Sequence, residues 1–341
     1  VSSAFFAHTK PVSRQSNRPI CALVIDAEED FDWAWPIQGT LHSTTHIRNI
    51  RTLHGILTAY GAIPTYLLTY PVLDDADAVR ILRRELDQNR CAAGIQLHPW
   101  VTPPFDDMPT SRHSFIGNLG ADLEERKLTA LRRKFKESLG FEPTVYRAGR
   151  YGLSHRTAGL LERHGFRIDM SVAPHTSFEI DDGPDYTSYG CQLFWFGKQR
   201  YLLEIPLCRS VVGWAGTRAP ALYRSFSGAR LSGLHVPSIL ARSRCAERIT
   251  LSPEGNDIAA MRRLVDGLYA KGQHVLTVSF HSSSLHVGTN PYVRSKADLH
   301  YFYDRLSAIL EYLATDMSFQ FSSIQQVPDL LDAPPGLGCG T

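Results

Sequence analysis

Five acids fall within seven residues in Asp26-Ala27-Glu28-Glu29-Asp30-Phe31-Asp32. The segment directly follows the apolar run Ile20-Cys-Ala-Leu-Val-Ile25, and a short continuous apolar run reads as a strand covered on both faces. Alternate side chains of an extended segment share a face, so Asp26 and Glu28 point the same way as the strand ends. Two carboxylates so placed divide labour, one deprotonating water while the other holds a cation. The plain competing reading is a solvated acidic loop, and composition alone does not separate the two. Three more reactive side chains stand at the ends of apolar runs: His98 after Ala92–Leu97, Arg147 after Thr144–Tyr146, and His281 after His274–Phe280. Glu204, in Leu202-Leu-Glu-Ile-Pro206, ends another such run and is a further pocket candidate.

The elements that must carry these residues alternate in type. After the first strand, Thr44–Tyr60 has apolar residues at helical spacing and is closed by Gly61. A strand at Pro64–Leu68, a helix at Val79–Leu86 and the strand at Ala92–Leu97 follow. The charged amphipathic helix Asp122–Leu139 ends at Gly140, and the strand Thr144–Tyr146, a helix at Thr157–His164 and a strand at Arg167–Val172 come next. Two strands are expected at Gln192–Phe196 and Tyr201–Ile205. A long excursion at about 213–252 includes a helix at Pro237–Cys245. Regularity returns with a helix at Asn256–Tyr269, the strand ending at His281, a helix at Ala297–Tyr312, a short strand at Phe319–Phe321 and a terminal helix near Ile324–Leu331. Such alternation implies parallel strands joined by crossover helices, and seven or eight strands favour a (β/α) barrel over an open sheet. The chain is thus expected to have an extension at 1–18, one barrel domain at 19–332 and a tail at 333–341. Parallel barrels build their sites at the carboxyl ends of the strands, where Asp26, His98, Arg147 and His281 fall.

Composition limits the partners. The chain has 341 residues, 43% hydrophobic and 21% charged, with a formal net charge of +2, so no large field attracts nucleic acid or an anionic membrane. The six cysteines form no Cys-x-x-Cys pair, which argues for reduced, buried thiols. Nothing resembles a secretory signal or a membrane span, and a cytoplasmic protein is expected. There is no Gly-x-Ser-x-Gly elbow and no His-Glu-x-x-His. Asp181-Asp182-Gly183 precedes Pro184 and reads as a turn.

Five segments together resemble the NodB-homology polysaccharide deacetylases of carbohydrate esterase family four, especially the divergent WalW-like subgroup. They are Ile25-Asp-Ala-Glu-Glu-Asp-Phe-Asp-Trp33, Gly94-Ile-Gln-Leu-His-Pro-Trp-Val-Thr-Pro-Pro104, Tyr146-Arg-Ala-Gly-Arg-Tyr-Gly152, Ile168-Asp-Met-Ser-Val172 and Ser279-Phe-His-Ser-Ser-Ser-Leu285. The resemblance implies a distorted (β/α) barrel that hydrolyses an N-acetyl or related amide on a sugar, with one divalent metal, often zinc. On it, Asp26 matches the catalytic base, and Glu28, with Glu29 as fallback, matches the metal-binding acid. His98 matches the first histidine of a metal-binding His-x-x-x-His, but Thr102 stands where the second would be. His113, fifteen residues beyond His98, is the candidate third ligand. Arg147 matches the arginine that keeps the base ionised and oriented, and His281 matches the general acid that protonates the leaving amine. Trp100, Arg150, Tyr151, Asp169 and Glu204 are the substrate-side candidates, with Asp169 resembling the residue that supports the catalytic histidine or lines the sugar pocket.

The expected activity is hydrolysis of a carbon–nitrogen bond other than a peptide bond, on an N-acylated sugar during surface polysaccharide assembly. A metal-independent amidohydrolase on the same scaffold is the alternative favoured by Thr102, and a silent saccharide-binding module is the other. Asp26→Asn is isosteric and is expected to keep the fold while turnover falls about 10²- to 10⁴-fold.

Overall fold

The computed structural model describes residues 6, 9–12, 18–30, 43–106, 110–198, 202–213 and 246–331. Phe31, Asp32 and Trp33, most of the long excursion with its helix at Pro237–Cys245, and the tail at 333–341 lie outside them. The strands are β1 (Lys10–Pro11), β2 (Ile20–Ala27), β3 (Thr65–Leu68), β4 (Ala92–Leu97), β5 (Val145–Ala148), β6 (Ile168–Asp169), β7 (Phe194–Phe196), β8 (Leu202–Glu204), β9 (Arg209–Val212), β10 (Glu247–Thr250), β11 (Val275–His281) and β12 (Gln320–Phe321). The α-helices are α1 (Ile50–Thr58), α2 (Tyr70–Asp74), α3 (Ala76–Asp87), α4 (Ala121–Leu139), α5 (Thr157–Arg163), α6 (Ile258–Tyr269) and α7 (Lys296–Glu311).

The sheet runs β1-β7-β8-β6-β5-β4-β3-β2-β11, with β12 also on β2. From β8 to β11 every pairing is parallel, as the alternation of elements requires. β7 and β1 extend it antiparallel. Among the described residues no ladder closes β11 onto β8. The antiparallel ribbon β9–β10 occupies that gap, joined by Leu251 N to Cys208 O (2.8 Å) and Ser279 N to Leu251 O (3.1 Å). The barrel is therefore distorted at this point, and the long excursion begins and ends there.

Strand parity sorts the residues into two cores. Cys21, Leu23 and Ile25 of β2 pack into the large core shared with the helices, while Ile20, Ala22 and Val24 join Leu67, Val145, Ile168, Leu203 and Val275 in a smaller inner core. Continuing the inner series beyond Val24 gives Asp26 and Glu28. The same alternation puts Arg147 after Val145, His98 after Gly94 and Gln96, and His281 after Val275, Thr277 and Ser279. All four reactive side chains thus leave the sheet on one face, and β11 and β2 pair in register so that His281 lies opposite Asp26.

Helix ends are set by local chemistry. Asp75 accepts from Asp77 N and Ala78 N to start α3, Ser295 and Asp298 form a capping box on α7, and Gly140 closes α4 with φ +88°. The stretch expected as one helix over Thr44–Tyr60 begins as a 3₁₀ turn, Thr45–Asn49, in which His46 is buried. The expected terminal helix is also 3₁₀, Ile324–Leu330, with Pro328 inside it. Asp181-Asp182-Gly183 is a turn, with Asp182 at φ +61°. Cys21, Cys91, Cys191 and Cys208 are free and buried, whereas Cys245 and Cys339 lie outside the described residues. No described helix is long and apolar enough to cross a membrane.

Gly149 joins the fold to the site: a Cβ there would stand 2.5 Å from His98 Cδ2 and 2.6 Å from Leu97 O. Gly149→Ala is expected to cost about 1–3 kcal/mol by overpacking. Gly55→Ala, inside α1 with nothing within 4 Å of the added methyl, is expected to gain up to about 1 kcal/mol. Urea unfolding midpoints of both variants check this contrast; a neutral Gly149→Ala would contradict it.

Candidate active site

Arg147 is 1% exposed. Its Nη1 donates to Asp26 Oδ1 at 2.5 Å and its Nε to Met170 O at 3.0 Å, while Nη2 is buried without a hydrogen-bond partner. The Tyr151 ring lies 5.9 Å from the guanidinium carbon. Burial opposes the Arg147 charge, but Asp26 outweighs it and raises the pKa. The pair fixes one Asp26 oxygen and leaves Oδ2 facing the cleft.

His281 stands across from it. Its Nδ1 lies 2.8 Å from Glu254 Oε2, and its backbone N donates to Glu254 Oε1 at 2.9 Å. Ser284 Oγ donates to the same Oε1 at 2.5 Å. Glu254 thereby sets the ring so that Nε2 faces the cleft, 3.9 Å from Asp26 Oδ2 and 4.0 Å from Glu28 Oε1. Burial disfavours the imidazolium, yet Glu254 and Glu28 more than offset it and push the pKa up to about 10. The support expected from Asp169 is supplied by Glu254 instead.

The acidic segment divides around His98. Glu29 Oε1 lies 2.8 Å from His98 Nδ1, and Glu28 Oε2 lies 3.5 Å from Nε2. Burial would raise the Glu29 pKa, but His98 prevails and holds it low. For Glu28 burial prevails over His281 and His98 and pushes the pKa up to about 8. Glu28 Oε1 is buried and unpartnered. His98 is itself shifted up, because Glu29 outweighs burial.

A relay braces this segment from behind. Asp30 Oδ1 lies 2.9 Å from His46 Nδ1, His46 Nε2 lies 2.8 Å from Ser282 Oγ, and Ser282 Oγ accepts from Glu28 N at 3.3 Å. The order resembles a nucleophilic triad, but Ser282 and His46 are both 0% exposed, so no substrate reaches the hydroxyl. The relay positions Glu28.

The remaining candidates separate clearly. Tyr151 lines the cleft beside Asp26 and His281. Trp100 stacks on His98 with centroids 4.3 Å apart and so braces that imidazole. Arg150 gives Nη1 to Ser114 and Nη2 to Asp181, with its guanidinium over Phe115, contacts that tie it to its own loop region. Asp169 and Glu204 are both 0% exposed and pair in register. They alternate with the inner-core residues Ile168 and Leu203, so they leave the opposite face from Arg147 and do not touch a substrate. Burial raises both, Asp169 to about 6 and Glu204 well above the usual carboxyl range.

The described donors do not fit a hydrolytic zinc, which takes about three protein ligands and an open position. Among the described residues no group of three or more His, Cys, Asp or Glu is arranged to hold a metal ion, so His113 does not join Glu28 and His98. Thr102, at the position of the missing histidine, is buried, and its loop is held by Lys127 Nζ donating to Pro99 O, Thr102 O and Pro104 O at 2.9, 2.9 and 2.7 Å.

No protein-family model matches the chain, and no curated protein does. Among solved structures it is similar to a protein designated a polysaccharide deacetylase from Mycobacterium smegmatis, at 17% identity and TM-score 0.47, covering 94% of this chain and 98% of that one. It is also similar to the esterase-family-four domain of a multidomain xylanase from the hindgut metagenome of Trinervitermes trinervoides, at 10% identity and TM-score 0.42, covering 92% and 91%. A third is a family-four pseudoenzyme from Bacillus anthracis, at 9% identity and TM-score 0.43, covering 92% and 66%.

Asp26→Asn removes the carboxylate from a buried guanidinium, so the expectation that it keeps the fold is revised: a loss of about 3–5 kcal/mol is expected, read by urea unfolding. Glu254→Gln removes the anion that holds His281 protonated and lowers the His281 pKa. The alkaline limb of the pH–rate profile should therefore move from near 10 toward neutrality; an unmoved limb would detach Glu254 from His281.

Proposed function

We propose that the chain hydrolyses an N-acyl amide on a carbohydrate, with Asp26 as the base and His281 as the acid. The observation that supports this most is the facing of Asp26 Oδ2 and His281 Nε2 across 3.9 Å at the rim where parallel barrels carry their chemistry. That span suits one reacting oxygen between a proton acceptor and a proton donor. Asp26, held by Arg147, takes the proton of the attacking water. His281, protonated throughout the neutral range by its pKa of about 10, gives a proton to the amine nitrogen as the carbon–nitrogen bond breaks.

Glu28 supplies the third function. Protonated up to about pH 8, it is a neutral carboxyl able to donate to the oxyanion that develops on the acyl carbon, a role in which a preorganised donor is worth several kcal/mol. No step runs through a metal, because the described donors offer no three-ligand set, which favours the metal-independent amidohydrolase.

Acetate release from N-acetylated oligosaccharides by the chelator-treated and untreated protein tests this. Equal rates are expected; activity lost on chelation and restored by zinc would return the reaction to a metal mechanism. His281→Ala is expected to lower turnover at least about 10²-fold while saccharide binding persists. Binding without release by the wild-type chain on every acylated sugar would mark it as a silent saccharide-binding module.

A further inference from the structure

The cleft of about 320 Å³ that exposes Asp26 and His281 is also lined by Tyr151, Asn256, Tyr292 and Arg209. Arg209 opens β9 and sits where the ribbon fills the gap in the sheet. Its Nε donates to Thr250 Oγ1 at 2.8 Å and its Nη1 to Thr176 Oγ1 at 2.7 Å. Those two neutral hydroxyls fix the plane of the guanidinium, but among the described residues Nη2 has no protein acceptor and no carboxylate lies within ion-pairing distance. Arg147, by contrast, has Asp26. Burial lowers the Arg209 pKa, the sign of a cation short of a counter-ion. A guanidinium edge with free N–H groups matches a planar oxyanion.

We propose that Arg209 recognises an oxyanion borne by the substrate, so that the saccharide is acidic. Asp26 and Glu254 line the same cleft; their carboxylates repel an anion that Arg209 accepts. The acyl group therefore lies at Asp26 and His281, with the acidic substituent on the same or the adjoining sugar toward β9. This inference rests on the carbohydrate amide reading and names its substrate class; its binding test does not need turnover.

The probes are a tetrasaccharide of alternating N-acetylglucosamine and glucuronate, the methyl ester of its carboxylates, and N-acetylglucosamine with and without a 6-phosphate. Titration calorimetry at low ionic strength, where screening is weak, measures each. The free acid, or the phosphate, is expected to bind about 10- to 100-fold tighter than its neutral partner, as a charged hydrogen bond predicts, and whichever pair shows the ratio identifies the oxyanion. Arg209→Gln should bring that ratio to about 1, and Arg209→Lys, which keeps the charge, should retain part of it even where the Gln variant does not fold. Equal binding of both pairs by the wild-type chain, or a ratio unchanged in the variants, would overturn the proposal. Acetate release measured on the same probes separates the two readings: a ratio that depends on Arg209 without release leaves the anion site standing and removes the hydrolase.

Discussion

The site depends on placing one permanent charge, the Arg147 guanidinium, inside the barrel. Such a charge is costly to bury without a partner, and Asp26 is the carboxylate that accepts from it. This contact holds one Asp26 oxygen and directs the other to His281. Register does the rest: β2 and β11 are adjacent and parallel, and Asp26 lies opposite His281. Asp26 and His281 therefore meet through pairing of chain segments 255 residues apart that neither residue needs to arrange for itself.

Charge balance then assigns the roles. Glu254 keeps His281 protonated, while His98 sits between Glu28 and Glu29, the one held protonated in the neutral range by its burial and the other ionised beside the imidazole. Three carboxylates crowded at one strand end cannot all carry charge at little cost. The Asp30–His46–Ser282 relay fixes the backbone of Glu28 so that this division has a defined geometry.

Much of this was legible in the sequence. Apolar runs ending in Asp26, Arg147 and His281 located the rim, and alternation along β2 chose Asp26 and Glu28 as neighbours. The position at a strand end pointed to Glu204 and the family resemblance to Asp169, but both leave the other face; strand parity, counted from the inner-core residues Ile168 and Leu203, separates them. Glu254 was not legible, because it lies in Ser252-Pro-Glu-Gly-Asn256, outside any strand and at the edge of the irregular excursion. Its role comes only from the fold bringing that loop against the end of β11. The same holds for Arg209, whose significance is the absence of a carboxylate near it among the described residues. Thr102 already marked the metal site as incomplete, and among the described residues no third ligand joins Glu28 and His98.

The arrangement turns on a protonated His281 imidazole facing the arginine-bound side chain of Asp26. Nitrogen-15 NMR of the histidine rings as a function of pH, with His281 assigned by the His281→Ala variant, measures this without any substrate. The account predicts an imidazolium at neutral pH that loses its proton near pH 10; titration near 6.5, the value of a free histidine, would contradict it.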